Sequence, residues 1–226
     1  MQWDDIGFLL SKTKYSENSL IIEVFTENHG KCSGIVFGGT SKKIKNYLQV
    51  GNNIYINYNY KNENKLGYFK IEIVKALTPI FFSDKKKLLC INSAMNLIKL
   101  FTVEFQKNLE IYKLINEFYK ILQKNNWIYN YIFWELKLLK LIGYDLELKK
   151  IVSKEIDNDE IKYFVKSRKE KKYVPTFMVD YNENEPKKES ILHGLRLIGD
   201  YIEKNIFKPN NMKHPRTRID FVNLFK

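Results

Sequence analysis

Gly38-Gly39-Thr40-Ser41-Lys42-Lys43, with Lys45 just beyond, combines residue types that suit an anion. Two adjacent glycines let the backbone turn sharply and lie close to a neighbour. The hydroxyls and lysines that follow supply the donors and positive charge that a phosphate chain requires. The run before them starts at Gly30 and passes through Ile35, Val36 and Phe37, which read as apolar core. A strand ending in a Gly-Gly bend with an exposed basic cluster predicts a grip on a nucleic-acid backbone. A hairpin corner with solvated lysines is the other reading of the same residues.

No constellation for catalysis accompanies this stretch. His29, His193 and His214 are isolated, with no HxxxH or HExxH spacing. Neither a GxxxxGK[ST] phosphate loop nor a GxSxG nucleophile elbow occurs. The acids Asp4-Asp5, and Asp157 with Glu160, read as solvated surface, and His214 beside Pro215 as a terminal surface residue. Cys32 and Cys90 are too few for a disulfide framework or a four-thiolate zinc site, and read as buried thiols in a reducing compartment. The expectation is a binding protein, not an enzyme.

The elements that must position the basic stretch change character along the 226 residues. Up to about Leu77 the apolar period is two. Strands are expected over 6–13, 20–25, Gly30–Phe37, 54–60 and 69–73. Turn residues bound them at 16–18, 28–30, 51–52 and 61–65. Five short strands with a basic link between the third and fourth match a small closed barrel of the oligonucleotide-binding (OB) type. Such barrels stack bases on aromatics while a basic groove follows the phosphates. Tyr55, Tyr58 and Tyr68 are the candidate platforms, against the plainer reading of aromatics at strand positions.

Thr78-Pro79 ends the strand pattern, and the domain boundary is placed there, giving 1–79 and 80–226. Beyond it the spacing is helical. Asp84 can cap a helix striped by Leu88, Ile91, Met95 and Ile98. Ile111 to Leu122 make the next, and Trp127, Tyr131, Trp134, Leu138 and Leu141 line a third that stops at Gly143. Residues 148–188 are irregular and charged, with a strand-like run at 161–165 and a basic run at 166–172. Ile191, Leu195, Ile198, Ile202 and Ile206 then form one side of a helix. Arg216 and Arg218 open a short last one. The fold class is α+β: an OB-type barrel, then an all-α domain with a small irregular insert at about 148–188.

Lysine and arginine number 38 against 26 acids, for a formal charge of +12, which points to an acidic partner. Part of that basicity follows from a chain-wide richness in Lys, Asn, Ile and Tyr. The N-terminus carries acids before its short apolar run and does not read as a signal peptide. No stretch approaches about 18 uninterrupted apolar residues. A cytoplasmic, nucleoid-associated protein is expected, without a membrane.

In order along the chain, a series of short motifs resembles the RecO family of bacterial recombination mediators. They are Trp3-Asp4-Asp5-x-Gly7, 15–19 (YSENS), Thr26-Glu27-x-x-Gly30-Lys31, Gly38-Gly39-x-Ser41-Lys42-Lys43 and Leu48-Gln49-x-Gly51. Leu66-Gly67 leading to Glu72 fits as well. The second half matches at Glu135-Leu136-x-Leu138-Leu139 running to Gly143-Tyr144-x-Leu146, at Gly194-Leu195-Arg196-Leu197-x-Gly199, and at Pro215-x-x-Arg218. The resemblance implies an OB barrel and a helical domain that bind single- and double-stranded DNA and anneal complementary strands. With its partner RecR, the family helps load RecA onto single strands coated by the single-strand-binding protein SSB, and it docks SSB's acidic C-terminal tail. Many members carry a zinc-binding insert. Here the insert's first cysteine would fall near Ile151, and 148–188 hold no cysteine. The expectation is that the zinc site is lost and no cofactor is used.

Lys12, Lys14, Lys31, Lys42, Lys43 and Lys45 are then expected to neutralise phosphates along the barrel, with Tyr55 and Tyr68 beneath the bases. Arg216 and Arg218 extend that path or meet the acidic tail of SSB. The alternative from another class is an RNA- or ribosome-associated OB protein.

Overall fold

The computed structural model describes residues 2–60, 66–157, 160–166, 171–180 and 186–226. The expected turn at 61–65 and residues 167–170 of the basic run lie outside these, as do the side chains of Asp157 and Glu160. The chain parts into two compact units, Met1–Tyr119 and Lys120–Lys226. The first unit thus takes in helical residues beyond the boundary expected at Pro79.

Five strands build the first unit: β1 (Gln2–Lys14), β2 (Ser19–Thr26), β3 (Gly30–Phe37), β4 (Asn53–Asn59) and β5 (Tyr68–Lys75). They close as a barrel in the order β1-β2-β3-β5-β4, with β4 returning to β1. Alternation makes the interior. Leu9, Ile22, Val24, Cys32, Val36, Ile54, Ile56, Tyr58, Phe69 and Ile71 form one buried cluster. Between β3 and β4 lies a short helix, α1 (Lys42–Tyr47), which the sequence reading treated only as a basic link. It delivers Leu48 and Ile44 to the same cluster.

The RecO-like motifs at 3–7 and 26–31 prove to be turn chemistry. The buried Asp5 carboxylate accepts from the Ile6 and Asn28 backbone N–H groups, the Asn28 amide and His29 Nδ1 (2.7 Å). Burial alone would raise its pKa, but the bonds from His29, Asn28 and Ile6 outweigh that and hold it below the ordinary value. Trp3 stacks on His29 with ring centroids 3.8 Å apart, which closes that end of the barrel.

β1 is buried on both faces because helices cover its outer side. α2 (Lys85–Phe101) starts where Asp84 Oδ1 accepts from the Lys86 and Lys87 backbone N–H groups, as its sequence position suggested. Phe8 packs against Tyr112 and Tyr119 of α3 (Leu109–Leu122). The Tyr119 hydroxyl donates to the Gly51 carbonyl at 2.6 Å. β3 pairs with β5 only at Ile35 and Tyr68. At its other end the connection between α2 and α3 completes the edge: Glu104 bridges to Lys31, and Phe105 N–H donates to the Lys31 carbonyl.

In the second unit α4 (Trp127–Leu141) ends at Gly143, whose φ of +88° suits a C-cap. A short α5 (Leu148–Ile151) leads to a three-stranded antiparallel sheet, β6 (Val152–Asp157), β7 (Glu160–Lys166) and β8 (Lys171–Val174). The strand-like run expected at 161–165 is β7, and the small ribbon that was one reading of 148–188 is a three-stranded sheet. β8 ties it to α6 (Lys188–Ile202) through Lys172 and Asp200 at 2.6 Å and through Tyr173 against His193. A π-helical turn (Glu203–Phe207) and α7 (Arg216–Asn223) follow. Residues 148–188 hold no cysteine and no histidine, and among the described residues no three His, Cys, Asp or Glu side chains are grouped to hold a metal. No described helix is long and apolar enough to cross a membrane.

Candidate nucleic-acid interface

The Gly-Gly bend does what its residues allow. Gly38 adopts φ +67° and Gly39 lies against Leu20 and the Val36 carbonyl. Ser41 N–H donates to the Gly38 carbonyl, and the Thr40 hydroxyl donates to Glu17 O, pinning the bend to the turn between β1 and β2. Thr40 is therefore committed to the fold.

That link gathers cations from distant parts of the chain at one end of the barrel. Lys12 and Lys14 lie at the end of β1, and Lys42, Lys43 and Lys45 on α1. The Lys12 ammonium donates to the Leu48 carbonyl just past α1 at 2.5 Å. Burial first, and then repulsion from the Lys45 charge, lower its pKa. None of these five lysines forms an ion pair within the described residues. A like-charge group with no counter-ion of its own is the electrostatic footprint of a polyanion site.

Two of the other expected site residues are committed within their own units. Lys31 sits at the opposite end of β3 and donates to the Lys99 carbonyl in the last turn of α2 at 3.0 Å. Lys99 in turn pairs with Glu23 and accompanies Ser11. Arg218 is 3% exposed and belongs to the core of the second unit. Its guanidinium forks onto Glu135 (Nε to Oε1 3.0 Å, Nη2 to Oε2 2.8 Å) and also donates to Leu195 O. Burial disfavours its charge, but Glu135 more than compensates and raises the pKa. Arg216 is exposed, with only a loose approach to Asp220 at 3.8 Å.

The aromatics also sort differently. Tyr58 is 5% exposed and faces into the barrel against Trp3 and Phe69, so it is no platform. Tyr55 points outward between Ile6 and Glu72. Partial burial and then Asp4, its hydrogen-bond partner, raise its hydroxyl pKa, with Glu72 adding to the effect. Those acids make its surroundings unfit for phosphate. Tyr68 lies outward at the start of β5 and meets Phe37, centroids 5.9 Å apart. Phe37 itself was misplaced by the sequence reading, which put it in the core. On β3 Gly30, Cys32, Gly34 and Val36 are buried, and Phe37 is 62% exposed. The same alternation that located the strand carries the signal: 37 shares the outward parity of 31, 33 and 35. Tyr15, in the turn after β1, is also exposed and escaped notice.

His214 offers a check on the second unit. Burial first, and then the Arg218 guanidinium, lower its pKa from 6.5, against the opposing charges of Glu203 and Glu135. A histidine held neutral stabilises the fold fully above its unfolded pKa, and that contribution is lost as pH falls through the lowered one. The urea midpoint of the wild type should therefore drop between about pH 7 and pH 5 by more than that of His214→Gln. Equal drops would remove His214 as the cause.

A closed five-stranded barrel in this strand order, plugged by a helix after its third strand and basic at one end, defines an OB-type module. The family model described as Recombination protein O N terminal matches residues 1–77, and Recombination protein O C terminal matches 83–214. A DNA repair protein RecO of Rickettsia africae (strain ESF-5) is 31% identical over 228 residues, covering 96% of this chain and 95% of its own. That of Rickettsia conorii (strain ATCC VR-613 / Malish 7) is 33% identical over 192 residues, or 85% and 77%. The chain belongs to the RecO family of DNA repair and recombination proteins.

Proposed function

We propose that this protein is a non-enzymatic recombination mediator that binds single-stranded DNA at the basic end of its barrel and anneals complementary strands. With RecR it would then promote RecA loading onto SSB-coated single strands. The carrying observation is the convergence of Lys12, Lys14, Lys42, Lys43 and Lys45, all without acidic partners among the described residues. Annealing follows from charge alone. A cationic surface holding two strands offsets their mutual repulsion while the bases stay free to pair, and no covalent bond changes.

The SSB tail, acidic and apolar, needs a different seat. In the second unit a cavity of about 340 Å³ is lined by Leu146, Leu148, Ile151, Leu197 and Tyr201, with Lys204 and the Lys172–Asp200 ion pair also on its wall. Those properties favour it over Arg218, whose guanidinium is spent on Glu135.

Five phosphate contacts at roughly 0.7 each give a log–log salt slope near −3.5 for single strands. Lys42→Glu with Lys43→Glu should weaken binding of single-stranded DNA, reduce the slope to about −2, and slow annealing of SSB-coated complementary oligonucleotides. Unchanged affinity and slope would reject this surface. Stronger competition by tRNA than by single-stranded DNA would favour an RNA-binding role instead.

A further inference from the structure

Phe37 is the last residue of β3 and the most exposed large apolar side chain on the described barrel strands. Among the described residues its ring meets that of Tyr68, tilted by 51°. Gly38 follows in a conformation whose Cβ position has no heavy atom within 4 Å, so the surface beside the ring is open. Across the ladder Phe37 pairs with Ser19, whose carbonyl accepts from the backbone N–H groups of Tyr15 and Ser16. The exposed Tyr15 therefore stands in the turn next to that pair, and Lys14 immediately precedes it. Lys42 and Lys43 begin α1, five and six residues beyond Phe37.

An exposed aromatic ring with half-exposed Tyr68 beside it, and lysines nearby along the chain that form no ion pair among the described residues, match one kind of partner. Phosphates satisfy the lysines, and a flat apolar heterocycle satisfies the ring. Duplex DNA presents only the first, because its bases are already stacked inside the helix. A single strand presents both.

We propose that Phe37, flanked by Tyr68, is the base-stacking residue of this interface, and that it makes the surface select unpaired nucleotides over duplex. The inference rests on the nucleic-acid reading above and adds the source of its strand selectivity. The lysines set overall affinity and salt dependence, while Phe37 sets the ratio of single-strand to duplex binding.

The test measures fluorescence anisotropy of the full chain with a labelled oligo(dT) and with a duplex of equal length, at several salt concentrations. Phe37→Ala should weaken oligo(dT) binding about 5- to 100-fold, the range for losing one stacked base. Duplex affinity should stay within about twofold and the salt slope should not change, since no phosphate contact is lost. Phe37→Trp should keep oligo(dT) affinity and show quenching by oligo(dT) beyond that of the native tryptophans. Wild-type oligo(dT) affinity in Phe37→Ala, equal loss on both ligands, or an unquenched Trp would overturn the proposal. If Lys42→Glu with Lys43→Glu still weakens both ligands in that case, the binding surface itself stands. If that variant binds like wild type, the underlying reading has failed instead.

Discussion

Arg218→Met should destabilise the second unit by about 3–5 kcal/mol, the range for breaking a buried ion pair from one side. Glu135 is 1% exposed, and its two oxygens are held by Arg218, with the Tyr131 hydroxyl also on Oε1 at 2.7 Å. Without the guanidinium, a carboxylate remains in the core with one neutral donor and no counter-charge. Leu195 O loses its donor from Arg218 as well. Removing both charges is a different matter. Glu135→Gln with Arg218→Met leaves no uncompensated ion and should recover much of the loss, so the double-mutant cycle should show strong coupling. Trp134, next to Glu135 in the chain and stacked on Tyr131, provides the fluorescence signal for urea unfolding. A single variant as stable as wild type, or additive losses, would show that the pair does not hold this unit together. DNA affinity, by contrast, should not follow the Arg218 substitution at fixed folded fraction, because the side chain is not on the surface.

Gly30→Asn should be the most damaging change at a turn of the barrel, and Gly38→Asn among the mildest. Both glycines have nearly the same left-handed φ, +69° and +67°. Asparagine visits that region more readily than other L-residues, so backbone conformation costs the two variants alike. Their surroundings differ. A Cβ at Gly30 would run into the carbonyl of Gln106, which is backbone and cannot swing away, whereas one at Gly38 meets nothing. At Gly30 the residues around Glu104 and Phe105 would have to leave the edge of β3, exposing ladder groups that they now satisfy. The expected loss exceeds the ~1–2 kcal/mol of the left-handed conformation alone. Denaturant midpoints for the two variants should separate clearly, and coincident midpoints would mean that the Gln106 contact is dispensable.

Much of this fold is legible in the chain itself. The alternation at 54–60 sets Ile54, Ile56 and Tyr58 on the face opposite Tyr55, and the structure turns that face inward, which removes Tyr58 as a platform. Asp84, the stripe from Leu88 to Ile98, and Gly143 each mark a helix end or face that the structure shows. α1 escaped because six residues at the base of a barrel take their helical form from Leu48 and Ile44 entering the core, not from a run long enough to show a period. β6 and β8 escaped because short charged strands are stabilised by their partners. The candidate site was half legible. The run of cations after Gly38-Gly39 is visible in the sequence, whereas nothing beside Lys31 or Arg218 in the chain shows that the fold takes up each of them.

What the sequence determined by itself is whatever neighbouring residues decide together: strand and helix periods, caps and turns. Only the tertiary structure decided which charges are available to a partner. Lys12 meets Lys45 across 33 positions, and Arg218 reaches back 83 to Glu135. A cation's role depends on the acid or carbonyl that folding sets beside it. Separations of this kind leave no period for a sequence to display.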